Sequence, residues 1–295
     1  MELLQLHYFL QLAKHQHVSR TAELLNISQP SLSATIKKLE TELGVPLFLR
    51  KGRNIVLSPY GEAYKSYVEE VFFALENGKR AVFQMRGLDD CKLNLGILSP
   101  YVWTDVFHQF HELYPEVQVN RYSIEGQRYY ESILSGSIDL YMGGINQIES
   151  LDTSKLEYVT LYEDEMVLMV NQSHPLAGQT EVDLRQCSDE HFINLDASTN
   201  LQQFISHLYE QSGFTPKVMM VCDYTLRDRM VSENHGVSVT TKLAAQKAEV
   251  ENVTYLTINY PSEKRKLGLV WRKNRVPTKS MENFCHAALE FYQNI

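Results

Sequence analysis

The sequence predicts an all-α winged helix-turn-helix and a long linker helix at the N-terminus, followed by an α/β body of two lobes. Apolar residues repeat with a helical period through the first 43 residues, and two short extended runs follow them. From residue 92 onward, short apolar strands alternate with helical stretches. A chain of 295 residues also exceeds what one hydrophobic core usually supports, so we expect several domains.

Charge is distributed unevenly along the chain. The net charge of -8 is unfavourable for a nucleic-acid partner, because domains that bind nucleic acid are usually basic. Residues 1–58 nevertheless hold seven Lys and Arg against four Asp and Glu, whereas the remainder holds 21 against 32. A basic head on an acidic body favours docking on DNA through the head.

The four cysteines lie far apart, without a CxxC pair or a histidine at metal-ligand spacing. We therefore expect reduced thiols, no metal and no other cofactor. The N-terminus lacks a basic stretch followed by an apolar run, and no segment approaches the roughly 20 apolar residues that span a bilayer. We expect a soluble, cytoplasmic protein with no membrane partner.

The first 28 residues predict two helices and a tight turn. Four apolar residues at positions i, i+3, i+4 and i+7 define the buried face of a first helix: Leu6, Phe9, Leu10 and Ala13. Ser19 is a candidate cap for a short second helix, whose Ala22 and Leu25 would face inward. Residues 26–28 then form a turn that Ile27 plugs.

A third helix follows, with Ser28 as its predicted N-cap and Pro30 in its first turn, where the missing N–H costs nothing. Its core stripe is Leu32, Ile36, Leu39 and Leu43. A separate polar face carries Gln29, Ser33 and Lys37 at i, i+4 and i+8.

This polar face is the candidate DNA reader, because its side chains are short or polar and can enter a major groove. Glutamine pairs with adenine through two hydrogen bonds, serine reads either base type, and lysine neutralises phosphate. Any solvated amphipathic helix would look similar in isolation; the short helix, tight turn and capped helix together favour DNA. The candidate contacts are Ser28, Gln29, Pro30, Ser31, Ser33, Thr35, Lys37 and Lys38.

After Gly44 the pattern changes to extended runs at 46–49 and 55–57, around a turn at 50–54. This hairpin is the predicted wing. Its candidate DNA contacts are the cations Arg50, Lys51 and Arg53, which suit phosphates or the minor groove. A solvated loop is the alternative interpretation.

Residues 19–62, SRTAELLNISQPSLSATIKKLETELGVPLFLRKGRNIVLSPYGE, resemble the DNA-binding segment of the LysR-type transcriptional regulators. The resemblance is close over the first sixty residues and extends to length and layout over the rest. It implies that Gln29, Pro30 and Ser33 belong to the recognition helix, and Arg50 and Arg53 to the wing. Many members carry an arginine where this chain has Ala34, so the preferred operator is not carried over.

Ser58 and Pro59 predict the start of a linker helix that runs to about Gly87. Apolar or small residues recur every 3.5 positions on average, a spacing that suits a helix pair: Tyr64, Val68, Val71, Leu75, Gly78, Val82 and Met85. A helix packed on its own body is the alternative. The resemblance implies dimerisation here, often extended to a tetramer.

A two-fold dimer presents two recognition helices. We therefore expect double-stranded DNA with an interrupted inverted repeat, its half-sites separated by about one duplex turn, roughly 34 Å. RNA polymerase is a further candidate partner.

In the body, strands are predicted at 93–98, 117–124, 138–142, 166–170, 192–195, 218–222, 237–240 and 267–271. Their alternation with helices indicates a parallel α/β arrangement, and the layout resembles the two-lobed, solute-binding-like effector domain of the family. We expect a DNA-binding domain at 1–58, a linker at 59–87 and an effector domain at 88–295. The first lobe would comprise about 88–161 and 267–295, and the second about 162–266.

Ligands in open α/β sheets gather beyond the carboxyl ends of the strands. That rule predicts that loop residues after the strands contact the effector. The candidates are Ser99, Pro100, Tyr101, Gln127, Asn146, Ser198 and Thr199. Ser99, Ser198 and Thr199 lie beside predicted helix N-termini, which favours a carboxylate or other anion. Each hydroxyl is alternatively a plain N-cap, and Tyr101 is alternatively part of the core.

These features predict a sequence-specific DNA-binding transcriptional regulator, whose body binds a small-molecule effector that alters DNA bending and transcription. An enzyme is disfavoured, because the chain lacks GxSxG, HExxH, phosphate-loop and dinucleotide-binding patterns. A transporter's solute-binding protein would need an export signal and no winged head. A constitutive or architectural DNA-binding protein that senses nothing remains the closest alternative.

Overall fold

The structure, a computed structural model, describes residues 1–51, 54–87, 91–97, 101–124, 128–148, 151, 153–259 and 264–294. The chain divides into two compact units, Met1–Val82 and Phe83–Ile295. No helix within these described ranges is long and apolar enough to cross a membrane.

The first unit begins with three helices, α1 (Leu3–His15), α2 (Val18–Leu24) and α3 (Gln29–Leu43). They enclose one core, formed by Leu6, Phe9, Leu12, Ala22, Leu32, Ile36, Leu39, Leu47 and Val68. The turn after α2 forms at Asn26, whose φ of 54° is left-handed. Ile27 follows it and packs against the core, as the sequence predicts.

The cap of α2 differs from the prediction. His17, not Ser19, is the N-cap, and its Nδ1 accepts a hydrogen bond from the backbone N–H of Arg20 at 3.3 Å. The left-handed conformation of Gln16, with a φ of 52°, ends α1 and starts the next helix earlier than expected. Ser19 therefore lies inside α2, where its hydroxyl donates to Oε1 of Gln29 at 3.3 Å.

The wing is an antiparallel hairpin of β1 (Phe48–Lys51) and β2 (Asn54–Leu57). Arg50 pairs with Ile55 and Lys51 with Asn54, so both cations lie in a strand and not in the predicted five-residue turn. The first strand also begins later than predicted. Instead of joining a ladder, the carbonyl of Pro46 accepts a hydrogen bond from the Ser58 hydroxyl at 2.6 Å.

A single long helix, α4 (Pro59–Met85), follows the wing; its 27 residues span about 40 Å. The hydroxyl of Ser58 accepts a hydrogen bond from the N–H of Gly61 at 3.0 Å, so Ser58 caps this helix as predicted. Tyr64, Val68 and Phe72 pack on the core of the first unit.

The second unit contains, in chain order, β3 (Lys92–Ile97), α5 (Thr104–Leu113), β4 (Gln118–Ser123), α6 (Arg128–Leu134), β5 (Leu140–Gly144), β6 (Leu156–Asp164), β7 (Met166–Asn171), β8 (Glu181–Val182), β9 (His191–Leu195), α7 (Asn200–Gln211), β10 (Lys217–Cys222), α8 (Tyr224–Ser232), β11 (Ser238–Thr241), α9 (Lys242–Ala248), β12 (Val253–Ile258), β13 (Arg265–Arg272) and α10 (Lys279–Gln293).

The first lobe is built on a five-stranded sheet of order β4-β3-β5-β13-β6. Strands β4, β3 and β5 are parallel, as predicted, but β13 is antiparallel to both of its neighbours, so the sheet is mixed. The reversal arises because β6 leaves for the second lobe and β13 returns from it. Helices α5 and α10 cover one core cluster, which contains Trp103, Phe110 and Phe284.

The second lobe contains a four-stranded sheet of order β11-β7-β12-β8 and a parallel pair, β9 and β10. Its core contains Leu168, Phe192, Phe204, Val237 and Leu256. The chain enters this lobe after Asp164 and returns at Arg265, and these two residues are directly paired between β6 and β13. The connections between the lobes therefore leave the first sheet beside each other.

Candidate DNA-binding face and interlobe cleft

The candidate DNA-binding face is the exposed side of α3. The Ser28 hydroxyl accepts a hydrogen bond from the N–H of Ser31 at 3.3 Å and caps the helix as predicted. Leu32 and Leu39 are fully buried beneath it. On the opposite side, these predicted contacts are exposed: Ser28, Gln29, Pro30, Ser31, Ser33, Lys37 and Lys38.

Two of the predicted contacts on α3 have intramolecular partners. Thr35 is only partly exposed, and its hydroxyl donates to the carbonyl of Ser31 at 2.9 Å. Lys38 forms an ion pair with Glu2 at 3.3 Å, but both side chains are about two-thirds exposed, so the pair is weak. Lys37 forms no such pair within the described part of the chain.

The wing presents Arg50 and Lys51 to solvent from β1. Arg53 lies outside the described residues. The sequence predicts Ser19 as a helix cap and not as part of the reading surface. Its hydrogen bond to Gln29 joins α2 to the first turn of α3. A contact between side chains of two different helices cannot be predicted from the spacing of residues along either helix.

The cleft between the two lobes of the second unit holds two small cavities, each of about 20 Å³, enough for one or two water molecules. Both are lined by Gly144, Asn200 and Arg265. Gly144 ends β5 of the first lobe, Asn200 begins α7 of the second, and Arg265 begins the returning strand β13.

Direct hydrogen bonds join the lobes across this cleft. The Tyr101 hydroxyl donates to Oδ2 of Asp228 at 2.7 Å. The Asn200 amide donates to the Tyr141 hydroxyl at 2.7 Å. Burial raises the pKa of both tyrosines, so they remain neutral hydrogen-bonding groups. Lys247 also pairs with Asp105 of the other lobe.

The predicted effector contacts are only partly brought together. Asn146 lines one cavity, although its amide also donates to the carbonyl of Lys264 at 2.9 Å. Thr199 is the N-cap of α7, and its hydroxyl accepts from the N–H of Gln202 at 3.1 Å and donates to the carbonyl of Asp196 at 2.9 Å. Neither Ser198 nor Thr199 lines the two cavities. Ser99, Pro100 and Gln127 lie outside the described residues.

Arg265 is not among the effector contacts that the sequence predicts. This residue is 8% exposed and lines both cavities. In the sequence it stands in the charged run Glu263-Lys264-Arg265-Lys266, which looks like a solvated loop. Only the pairing of β13 with β5 and β6 brings it into the cleft.

A winged helix-turn-helix with an exposed polar reading face, together with a two-lobed α/β unit that encloses a cleft, defines a ligand-responsive DNA-binding regulator. Residues 3–62 match the family described as bacterial regulatory helix-turn-helix protein, lysR family, and residues 92–293 match the LysR substrate binding domain. The chain therefore belongs to the LysR family of transcriptional regulators. It is a DNA-binding regulator with an effector-binding domain.

Two curated relatives match over nearly their whole length. The HTH-type transcriptional regulator YybE of Bacillus subtilis is 29% identical over 288 residues, which cover 96% of this chain and 97% of that protein. The transcriptional dual regulator GltC of the same organism is 27% identical over 300 residues, which cover 100% of this chain and 99% of that protein.

Solved structures share the fold. Full-length OxyR from Pseudomonas aeruginosa has a TM-score of 0.73 at 22% identity and covers 98% of both chains. CbnR, a LysR family transcriptional regulator, in complex with its target DNA has a TM-score of 0.57 at 19% identity, covering 99% of this chain and 100% of that chain.

Proposed function

We propose that α3 and the wing read an interrupted inverted repeat in double-stranded DNA, with Gln29 and Ser33 contacting bases and Lys37, Arg50, Lys51 and Arg53 contacting phosphates. The observation that carries this proposal is the division of α3 into a buried apolar side and an exposed polar side. Glutamine and serine carry the hydrogen-bonding groups that read base edges, whereas lysine and arginine supply the charge that phosphates require.

Substitution of Gln29 by alanine tests base reading. We expect a loss of about 1–3 kcal/mol on the operator and little change on random DNA, because only the operator offers the specific base partner. Fluorescence anisotropy with both duplexes at one salt concentration measures the two affinities. Thr41→Ala, an exposed change near the other end of α3, is the matched control. An equal loss on both duplexes would show that Gln29 does not read a base.

We further propose that residues 1–58 bind DNA, that 59–87 hold two copies together, and that 88–295 bind an effector between the lobes. The exposed apolar residues of α4 support self-association: Val71 is 40% exposed, Leu75 50% and Val82 53%. The proposed dimer, or a tetramer of two dimers, works on DNA in the cytoplasm, with RNA polymerase as a partner. It acts as a regulator and not as an enzyme.

In this proposal the effector changes the arrangement of the lobes, and that change alters the bend that the dimer imposes on DNA. The cleft supports it, because Gly144, Asn200 and Arg265 come from three different elements of two lobes and converge on shared cavities.

A constitutive regulator is the second candidate, favoured by one feature of the cleft. The cavities are small and the Tyr101–Asp228 and Asn200–Tyr141 hydrogen bonds already tie the lobes together. A thermal-shift screen of the full-length protein distinguishes the two candidates. A ligand at 100 times its dissociation constant adds about 2.7 kcal/mol to the free energy of unfolding. Silence across amino acids, carboxylates, aromatic acids, sugars and sugar phosphates would favour the constitutive candidate.

A further inference from the structure

We propose that Arg265 is the anion-binding residue of the interlobe cleft and that the effector presents a single carboxylate group to it. The inference rests on the proposed function, in which the effector binds between the lobes. It adds the chemical class of the ligand and the residue that selects it.

The guanidinium of Arg265 is a buried charge without an ion-pair partner among the described residues. Its side chain is 8% exposed, and within the described residues it forms no ion pair and no hydrogen bond. The buried Arg227 differs, because it pairs with Asp228 at 2.6 Å. The buried Arg275 likewise pairs with Asp139. Arginine stays protonated when it is buried, so its positive charge must be compensated by another group.

Asp164 is the first candidate counterion to consider, because it lies opposite Arg265 in the pairing of β6 with β13. Its Oδ1, however, accepts a hydrogen bond from the N–H of Leu243 on α9 at 3.1 Å, and it forms no ion pair with Arg265. Its buried Oδ2 has no hydrogen-bond partner within the described part of the chain. Asp164 therefore supplies long-range compensation only, and the guanidinium's donors remain available.

Two further donors around the cavities have no acceptor among the described residues. The indole N–H of Trp103 is buried without a hydrogen-bond partner in the described structure, and the Tyr224 hydroxyl forms no hydrogen bond there either. The Asn200 amide donates to the Tyr141 hydroxyl. No Asp or Glu is found among the described residues that line the two cavities. A group that only accepts hydrogen bonds and carries negative charge complements such a site.

Two features of the backbone fit the same ligand. A Cβ on residue 144 would lie 2.7 Å from Nη2 of Arg265, so glycine leaves the space that the guanidinium occupies. Helix α7 begins at Asn200 and directs its N-terminus to the cleft, which favours negative charge.

Charge balance selects a carboxylate over a phosphate. One guanidinium neutralises one negative charge, whereas a phosphate dianion would leave a second charge buried in a site with no other cation lining it among the described residues. The guanidinium can bind the carboxylate through two parallel hydrogen bonds.

The test uses full-length protein and small probes: acetate, pyruvate and benzoate, the neutral amides acetamide and benzamide, inorganic phosphate and neutral sugars. Calorimetry and thermal shift are measured at neutral pH with each probe at up to tens of millimolar. The variants are Arg265→Gln, Arg265→Lys and, as matched control, Lys266→Gln, which removes a cation at the next position of β13. Binding to operator DNA confirms that each variant is folded.

We expect at least one carboxylate to bind while its amide and phosphate do not. Arg265→Gln should weaken carboxylate binding about tenfold or more, Arg265→Lys should weaken it less, and Lys266→Gln should leave it unchanged.

The proposal is overturned if no carboxylate binds, if phosphate binds in preference, or if Arg265→Gln binds carboxylates as tightly as the natural chain. A further outcome is that a neutral probe binds the natural chain and Arg265→Gln with equal affinity and alters DNA binding. That result would overturn the proposal of a carboxylate ligand and would leave the proposed effector function intact. If no probe of any charge binds or alters DNA bending, the effector function itself fails.

Discussion

Asp228 forms a buried ion pair within the second lobe and also binds a residue of the first lobe. Its Oδ1 accepts two hydrogen bonds from Arg227, at 2.8 and 2.6 Å, and its Oδ2 accepts one from Tyr101 of the opposite lobe at 2.7 Å. Both members of the ion pair are buried. A buried ion pair of this kind adds little to the free energy of unfolding, because burying its charges is costly. Its main effect is to favour one arrangement of the groups around it. Movement of the lobes must first separate Tyr101 from this carboxylate.

Asp164 predicts a pH dependence of stability. Burial raises its pKa above the ordinary value of 3.8, and hydrogen bonds from Thr241 and Leu243 only partly oppose that shift. A raised carboxyl pKa means that the folded state binds the proton more tightly than the unfolded state. The stability contributed by that proton is present below pH 3.8 and is lost as pH rises through the folded pKa.

Asp164→Asn should therefore gain stability relative to the natural chain as pH rises from 4 toward 7, because the amide keeps an acceptor for the Leu243 N–H and carries no charge. Urea unfolding at a series of pH values measures the difference. Asp183→Asn is the opposite control, since hydrogen bonds from Arg185 lower the pKa of Asp183 to about 2 and its contribution is lost as pH falls. A pH-independent difference for Asp164→Asn would contradict this account.

At the residue scale, the exposed polar side of α3 could be predicted and most of the cleft could not. Gln29, Ser33 and Lys37 share a face because the helical period places them there, and that period is visible in the sequence. Arg265 and Gly144 are far apart in the chain and meet through strand pairing in the first sheet. The spacing of residues within a short segment does not reveal that pairing.

Helix α4 carries two kinds of contact along its length. Near its N-terminus, Gly61 packs so closely on the wing that a Cβ there would lie 2.1 Å from the carbonyl oxygen of Leu47. Farther along, a Cβ on Gly78 would meet no atom within 4 Å in the described structure, and Leu75 is half-exposed. The first segment stabilises the DNA-binding unit, and the second is the surface that we propose for self-association.

Alanine at the two glycines of α4 should have opposite effects. Gly61→Ala should destabilise the first unit by about 1–3 kcal/mol, because the backbone of Leu47 must move to admit the methyl group. Gly78→Ala should stabilise the helix by up to about 1 kcal/mol, because alanine favours helix and the site has room. Denaturant unfolding measures both. Equal effects of the two changes would contradict the packing described for Gly61.

Leu75→Asp should shift the protein from dimer toward monomer, because a charge in an apolar helix seam opposes pairing. Light scattering after size exclusion measures the mass. Ala74→Asp adds the same charge at the neighbouring exposed position, outside the predicted seam, and should leave the mass unchanged. If both variants keep the mass of the natural chain, self-association does not use this stripe.

At the element scale, the helices of the first unit were predictable, and three strands of the second unit were not. The sequence pattern predicts α1 to α4 but not β6, β8 and β12. In β6, buried Leu156 and Leu161 are separated by exposed or partly exposed residues, so no continuous apolar run marks the strand. Its place in the sheet depends on β13, which lies more than a hundred residues later.

At the scale of the whole molecule, the two lobes are linked where β6 ends and β13 begins, and Asp164 and Arg265 pair at that point. A ligand that binds Arg265 would therefore act directly beside the connections between the lobes. The alternation of strands and helices predicted an α/β body, and the family resemblance implied its two lobes. The mixed direction of the first sheet was not predicted, because an alternation of strands and helices does not reveal which strand returns from the second lobe.

The central claim is that an effector bound between the lobes changes how the dimer bends DNA. The most direct measurement is the bend angle of operator DNA, by fluorescence resonance energy transfer between its ends, with and without a saturating carboxylate that calorimetry has shown to bind. We predict a changed bend angle and a changed DNase footprint at nearly constant occupancy, and no such change in Arg265→Gln. Identical bends and footprints with and without the bound carboxylate would contradict the claim.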